Sequence, residues 1–354
     1  MTGVCDVLVV GLGPAGGAAA WAAASRGLKV IAIDRKKVIG EPVQCAEFIP
    51  MPIARFARTA DVIRQRVEGM RSVLPSGESE RAPFSGLVID RAKFDRGLAA
   101  MAEEAGAEIR TESVLEELDL AQRTARVRQG EEWSVIHYQL LIAADGPYSR
   151  VAKLLGLPRL EMVHSRQYSV PLLQPQQDTT IWLSGEYPGG YAWLFPRGAE
   201  ANLGIGIDYR YERDAKHPLD KLHEQLVAAG TVGPEILRRT GGGIPVGGMR
   251  EHLVFDRVMF AGDAAGLTHP ITGAGIAAAV SSGEMAGSAA ALWVRGEAGA
   301  LNAFEEDVRE LYGPTIERAL RARAALESIW KTPAADADAE QRRGWIAFNE
   351  YFAA

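Results

Sequence analysis

Three short runs in this sequence set glycine beside carboxylate at the end of an apolar stretch. The first is Gly11-x-Gly13-x-x-Gly16, directly after Asp6-Val-Leu-Val-Val10. Gly11 suits a tight turn, Gly13 lets a pyrophosphate approach the backbone, and Gly16 lets a helix pack closely on a strand. The free N–H groups of a helix N-terminus favour phosphate. Asp34 ends the next apolar run, Lys29-Val-Ile-Ala-Ile33, 18 residues after Gly16. A carboxylate at that distance accepts hydrogen bonds from a ribose. The chemistry is dinucleotide binding, and this motif by itself does not separate FAD from NAD.

The other two runs are Ile142-Ala-Ala-Asp145-Gly146 and Val258-Met-Phe-Ala-Gly262-Asp263. Taken singly, each reads as a strand ending in a turn. No second GxGxxG follows a strand: Gly204-Ile-Gly206 and Gly241-Gly-Gly243 lack the full pattern. A separate NAD(P)-binding domain is therefore not expected, and electrons must come from transient nicotinamide binding or from a redox partner. Cys45 lies in a Gly/Pro loop, where burial is less expected than for Cys5 at the first strand. It reads as a proton donor, a redox-sensitive thiol or a simple contact. His269 reads as a structural histidine ahead of a proton carrier. The remaining histidines lack metal-ligand spacing, so no metal is expected. Ser149 has no GxSxG elbow around it.

These residues need elements to hold them. A complete β-α-β unit is expected over residues 6–34, with small residues lining its helix and Gly27 ending it. Residues 35–85 hold Pro42, Pro50, Pro52, Pro75 and Pro83, and read as loops with short elements. A helix is expected over 90–106, where Phe94, Leu98 and Met101 share a face and Gly106 suits a C-cap. A strand meander is expected over 107–139, then a buried strand at 140–144. Aromatics and prolines concentrate over 158–245, which reads as an inserted sheet crossed by a helix over 218–230. Further helices are expected at 273–294 and 300–331. Residues 334–340, Ala-Ala-Asp-Ala-Asp-Ala-Glu, read as a linker ahead of an aromatic tail at 345–352. That tail reads as a helix packed on the core, with tunnel capping or membrane contact as the other readings.

Length and composition bound the class. The chain has 354 residues, Lys+Arg 39 against Asp+Glu 45, a net charge of -6, and two cysteines. That length suggests two domains. The acidic balance argues against nucleic acid as a partner, and two cysteines cannot form a disulfide framework. No apolar run reaches membrane-spanning length and no signal core follows a basic start, so a cytoplasmic protein is expected.

In this order, the three glycine–acid runs resemble the FAD-binding pattern of the group that includes aromatic hydroxylases and geranylgeranyl reductases. Gly190-Tyr191-Ala-Trp193-Leu-Phe195-Pro196 resembles the YxWxFP motif of the geranylgeranyl reductases, and Asn202-Leu-Gly204-Ile-Gly206 follows it. Val38-Ile-Gly40-Glu-Pro42-Val-Gln-Cys45-Ala46-Glu47 resembles the cysteine loop of the archaeal reductases that saturate prenyl chains of membrane lipids. The resemblance covers about residues 1–295. Beyond 300 the chain departs by its short end, which leaves the substrate's length open.

The resemblance implies an α/β (α+β) fold: a Rossmann-like FAD domain of the glutathione-reductase type, an inserted antiparallel-sheet domain and a helical C-terminus. The expected boundaries are 1–70, 86–158 and 246–298 for FAD, 71–85 and 159–245 for the sheet, and 299–354 for the helical end. It implies FAD contacts from Gly11, Gly13, Ala15, Gly16, Asp34, Arg35, Cys45, Ala46, Phe48, Arg91, Val114, Asp145, Gly262, Asp263, Gly273, Gly275 and Ile276. Asp263 is placed at the ribityl chain, Arg91 near the cofactor and Val114 near adenine. The helix opening at Gly273-Ala-Gly275-Ile276 supplies N–H groups for the reduced flavin's charge. Tyr191, Trp193 and Phe195 alternate, so they share one face of a strand. They read as an apolar substrate channel or a plain aromatic core, and the resemblance favours the channel. Cys45, Tyr191 and Trp193 are its catalytic candidates. The implied activity is hydride transfer from reduced flavin to prenyl double bonds, with NAD(P)H or a reduced redox protein as donor and peripheral membrane contact. Aromatic monooxygenation and quinone-linked electron transfer are the competing activities.

Overall fold

The computed structural model of the chain describes residues 2–353. Its centre is a six-stranded sheet ordered Val254–Phe255, Val258–Phe260, Leu140–Ala143, Val7–Val10, Val30–Ile33, Glu108–Arg110. All neighbours are parallel except the first pair. Every residue of Val7–Val10, Val30–Ile33 and Leu140–Ala143 is buried, which is why these strands read as unbroken apolar runs. The helix Pro14–Ala24 lies against the helix Ile276–Val294 at backbone distance. A Cβ on Gly283 would sit 2.1 Å from the Ala15 carbonyl oxygen, and one on Gly287 would sit 2.4 Å from that of Ala19. The small residues of both helices are thus a packing requirement.

A second sheet has eight strands: Arg238–Pro245, Met162–Pro171, Glu200–Ile207, Ala192–Arg197, Asp178–Trp182, Ile63–Val73, Ser79–Ile89, Phe48–Pro50. Leu219 and Leu222 of the helix Lys216–Ala228 cover one face, against Tyr168, Leu194, Leu203 and Ile205. The other face turns Trp193 and Ile181 toward Trp345 and Phe348 of the C-terminal tail. A small third sheet joins Thr2–Val4 to the meander Ser113–Asp119, Thr124–Gln129, Glu132–His137. The expected β-α-β unit, the helix Arg91–Glu104 with Asp90 as its N-cap, and the helices Ile276–Val294 and Ala300–Glu327 are all present.

Two expectations fail. Residues 35–85 are not mainly loop: Ile63–Val73 and Ser79–Ile89 are strands of 11 residues each. Their pairing shifts register between Ile63 and Gln65 and again between Val67 and Gly69. Each bulge adds a residue and breaks the two-residue alternation that marks a strand. The boundaries expected at 70/71 and 85/86 fall inside these strands. Residues 334–340 are not a linker either. Pro333–Asp336 is a short 3-10 turn and Asp338–Gly344 a helix, with Ala335 buried and its carbonyl accepting from Gln341 Nε2 at 2.7 Å. Only Ala335 of this stretch is buried; Ala334, Ala337 and Ala339 face solvent on or between short helical turns. No helix among the described residues is long and apolar enough to cross a membrane.

Candidate functional site: a dinucleotide cradle beside an aromatic face

The cradle is built from backbone. Gly11 has φ of 94°, and a Cβ there would lie 2.4 Å from the Ala144 carbonyl oxygen. A Cβ on Gly16 would lie 1.7 Å from the Gly11 carbonyl oxygen, so only glycine closes this turn. A Cβ on Gly13 would meet nothing within 4 Å, which leaves that backbone open to a ligand. Asp34 accepts the Leu12 N–H at 2.8 Å and the Lys36 N–H at 2.8 Å. It thereby ties the glycine turn to the second strand, and its oxygens retain lone pairs for a ribose. Ser113 N–H donates to the Asp34 carbonyl at 2.8 Å, which sets Val114 next to this end of the sheet. Arg35 is exposed.

The two remaining acids are held differently. Asp145 Oδ2 accepts the Val151 N–H at 3.0 Å, while Oδ1 is buried without a hydrogen-bond partner. Burial pushes its carboxyl up. Asp145 thus helps Ser149 cap the helix Arg150–Leu154, and its free oxygen awaits a donor. Asp263 Oδ1 accepts the Thr268 hydroxyl at 2.8 Å, and burial raises its carboxyl as well. Gly262, at φ 59°, brings this turn against Ala15: a Cβ on Gly262 would lie 2.9 Å from the Ala15 Cβ. The helix from Ile276 begins after Gly275 with no side-chain cap, so its first N–H groups lack an intrahelical partner. Gly273, at φ 66°, donates its N–H to the His269 carbonyl at 2.9 Å. His269 Nδ1 faces the N–H groups of Ile271 and Thr272, both at 3.3 Å. Burial lowers its imidazole to about 4, so it is neutral and pins the turn.

The Cys45 loop lies between this cradle and the large sheet. Cys45 Sγ accepts the Glu47 N–H at 3.2 Å. Burial raises the thiol's pKa against the opposing pull of Arg91, so it keeps its proton at neutral pH. Arg91 pairs with buried Asp95, Nε to Oδ1 at 2.7 Å. Burial opposes the Arg91 charge, but the carboxylate of Asp95 outweighs it and holds the guanidinium ionised. Phe48 stacks on Phe84 with centroids 4.8 Å apart and meets the Phe195 ring edge-on at 6.2 Å.

Tyr191, Trp193 and Phe195 do share a face, while Ala192 and Leu194 point to the helix-covered side. The Tyr191 and Trp193 rings meet edge-on at 5.7 Å. Tyr191 hydroxyl donates to the Thr272 carbonyl at 2.5 Å, which ties the aromatic face to the loop before Ile276. Trp193 lies over the neighbouring strand: a Cβ on Gly204 would fall 2.3 Å from its ring. Trp193 Nε1 donates to Gln167 Oε1 at 3.0 Å, and Gln167 Nε2 donates to the Cys45 carbonyl at 3.1 Å. One amide thus couples the indole to the cysteine loop.

Several residues of this arrangement were not singled out as site residues. Glu47, buried and at φ 70°, accepts from Arg91 N–H at 2.9 Å and Asn202 Nδ2 at 2.9 Å, and pairs with Arg197 at 3.1 Å. Asn202 also donates to the Ala46 carbonyl at 3.3 Å. The signal available for Gln167 is the polar alternation Ser165, Gln167, Ser169 inside a buried strand. Trp345 also belongs here: its ring meets Tyr191 at 4.8 Å.

The buried, unpartnered Asp145 oxygen, the open backbone at Gly13 and the uncapped helix after Gly275 suit a dinucleotide cofactor with a charged flavin end. Comparison with known proteins agrees. The family described as FAD binding domain matches residues 79–311, and FAD dependent oxidoreductase matches residues 6–144. The chain is 31% identical to digeranylgeranylglycerophospholipid reductase of Methanocella arvoryzae, over 92% of this chain and 88% of that one. It is 33% identical to digeranylgeranylglycerophospholipid reductase 2 of Methanopyrus kandleri, over 90% of this chain and 85% of that one. A geranylgeranyl bacteriochlorophyll reductase-like protein of Thermoplasma acidophilum superposes with a TM-score of 0.89 at 28% identity, covering 98% of this chain and 93% of that one. That coverage takes in most of the segment beyond 300, so the C-terminal end has a counterpart there. The chain is an FAD-dependent oxidoreductase and belongs to the digeranylgeranylglycerophospholipid reductase family.

Proposed function

We propose that the protein reduces carbon–carbon double bonds in the prenyl chains of a geranylgeranyl-type lipid. The observation that carries this is the apolar face of Tyr191, Trp193 and Phe195, tied through Gln167 and Thr272 to the loops that border the cofactor cradle. FAD, bound and reduced, supplies the hydride. The reaction adds a hydride to one alkene carbon and a proton to the other, so the chain gains two hydrogens and keeps its carbon skeleton.

In this reading Gly11, Gly13 and Gly16 receive the pyrophosphate, Asp34 the ribose, and Asp263 with the helix after Gly275 the flavin end. Tyr191 and Trp193 hold the alkene flat by contact with their rings. An apolar wall excludes water and keeps polar substrates out. Cys45 is the proton donor: a thiol held protonated by burial, beside the ion pair of Arg91 and Asp95. Arg91 would favour the thiolate left behind, which eases the transfer. Electrons reach the flavin from NAD(P)H bound in passing or from a reduced redox protein. The protein works in the cytoplasm, with peripheral contact to the membrane that holds its lipid.

The test is reduction of a geranylgeranyl glycerophospholipid by dithionite-reduced holoprotein, read by product mass. Gains in multiples of two hydrogens support the reading. Gain of an oxygen atom in air would replace it with monooxygenation, and an unchanged lipid beside reduced quinone would replace it with electron transfer. Cys45→Ser turning over at the wild-type rate would remove the thiol from the proton path.

A further inference from the structure

We infer that Trp345 is the end-stop that sets how long a prenyl chain the site accepts; this rests on the prenyl-reductase reading above. Tyr191 stands between two structures. Its hydroxyl bonds the Thr272 carbonyl in the loop before Ile276, and its ring meets that of Trp345 at 4.8 Å. A chain running along the aromatic face away from Cys45 therefore reaches Trp345 one ring beyond Tyr191.

The indole is held firmly. Trp345 is 3% exposed and Ser72 is 0% exposed, and Trp345 Nε1 donates to Ser72 Oγ at 3.0 Å. The turn into it packs closely on the helix Ala300–Glu327: a Cβ on Gly344 would lie 2.5 Å from the end of the Leu326 side chain. Polar contacts fasten the segment around it to the large sheet: Gly185 N–H to Asp336 at 2.8 Å, Ser76 to Asp338, and Arg342 to Glu80 at 3.0 Å. The space bordered by Tyr191, Ile271, Trp330 and Trp345 leaves only about 20 Å³ for the centre of a water molecule. That is room for one water, not for an isoprene unit. A stop made of a rigid indole differs from a flexible side chain in that it cannot yield by changing rotamer.

The experiment compares kcat/KM for geranyl, farnesyl and geranylgeranyl alcohols, with flavin content and thermal midpoint measured on each variant. In Trp345→Ala the geranylgeranyl-to-farnesyl ratio should rise about tenfold, the scale on which one added hydrophobic group is discriminated. Trp345→Phe keeps a ring at the stop and should move the ratio less. Ser72→Ala leaves the core intact, frees the indole and should shift the ratio in the same direction by a smaller factor. It serves as the deciding variant should Trp345→Ala fail to fold. An unchanged ratio in the folded, flavin-loaded variants overturns the end-stop while leaving prenyl reduction in place. Failure of the wild type to reduce any of the three alcohols or the phospholipid overturns both.

Discussion

The cradle and the aromatic face, the two halves of the site, are made in opposite ways. At the glycine turn of the cradle the contacts are backbone against backbone, and side chains are excluded: Gly11 and Gly16 both sit where a Cβ would collide with a carbonyl oxygen. At the aromatic face the backbone is ordinary strand, and large side chains from distant segments do the positioning. Cys45, Gln167, Trp193, Tyr191, Thr272 and Trp345 come together from positions up to 300 residues apart. The first construction tolerates no added atom. The second tolerates change in proportion to the hydrogen bond or ring it removes.

The sharpest way to break this contrast is one added methyl group. Gly16→Ala should lose both flavin and fold, a cost of at least about 3 kcal/mol, because its Cβ would overlap the Gly11 carbonyl oxygen. Gly97→Ala is the control. Gly97 lies inside the helix Arg91–Glu104 with nothing within 4 Å of an added Cβ. It should gain about 0.5–1 kcal/mol of stability from helix propensity. Thermal melts and the flavin-to-protein ratio read both.

The C-terminal segment sharpens the other side. Arg323 is buried in the helix Ala300–Glu327, donating to buried Asp208 at 3.1 Å and to the Gly189 carbonyl at 2.9 Å. Arg323→Met leaves Asp208 with Arg210 as its remaining cation and should cost about 2 kcal/mol for the lost charged hydrogen bonds, read as a lower urea midpoint with an unchanged slope. Flavin content should stay full, because the cradle is elsewhere. Trp193→Phe keeps a ring but leaves Gln167 Oε1 without its donor. It should cost about 2 kcal/mol and slow alkene turnover with FAD still bound.

A further effect is confined to acid pH. His269 is neutral in the fold because burial lowers its imidazole from 6.5 to about 4. Between those values the unfolded chain binds the proton and the folded chain does not. The stabilisation is therefore complete above pH 6.5 and is lost as pH falls toward 4. His269→Asn supplies an acceptor for the Ile271 and Thr272 amides without titrating. Its stability should fall less steeply over that window, as read by urea unfolding at several pH values.

The same contrast explains what was legible in the sequence. Gly11, Gly13, Gly16 and Asp34 act within one β-α-β unit, so local spacing reports their geometry. The alternation of Tyr191, Trp193 and Phe195 gave their common face for the same reason. Gln167 and Glu47 act only across the fold, and a polar residue in a buried strand does not say what it bonds. The strands Ile63–Val73 and Ser79–Ile89 were missed because two bulges scramble their period. The tail is packed on the core as expected, with Trp345, Phe348 and Tyr351 buried, but residues 345–348 form a turn and only Asn349–Ala353 is helix. Its seat against Tyr191 and Ser72 depends on partners 154 and 273 residues away, and no local pattern carries that.

The most direct measurement is an anaerobic single turnover. The holoprotein is photoreduced and mixed with a geranylgeranyl glycerophospholipid, while the oxidised-flavin absorbance and the product mass are followed together. Return of that absorbance, matched mole for mole by a product heavier by two hydrogens, is the predicted result. Flavin that stays reduced beside unchanged lipid, with the cofactor still bound, would contradict the account.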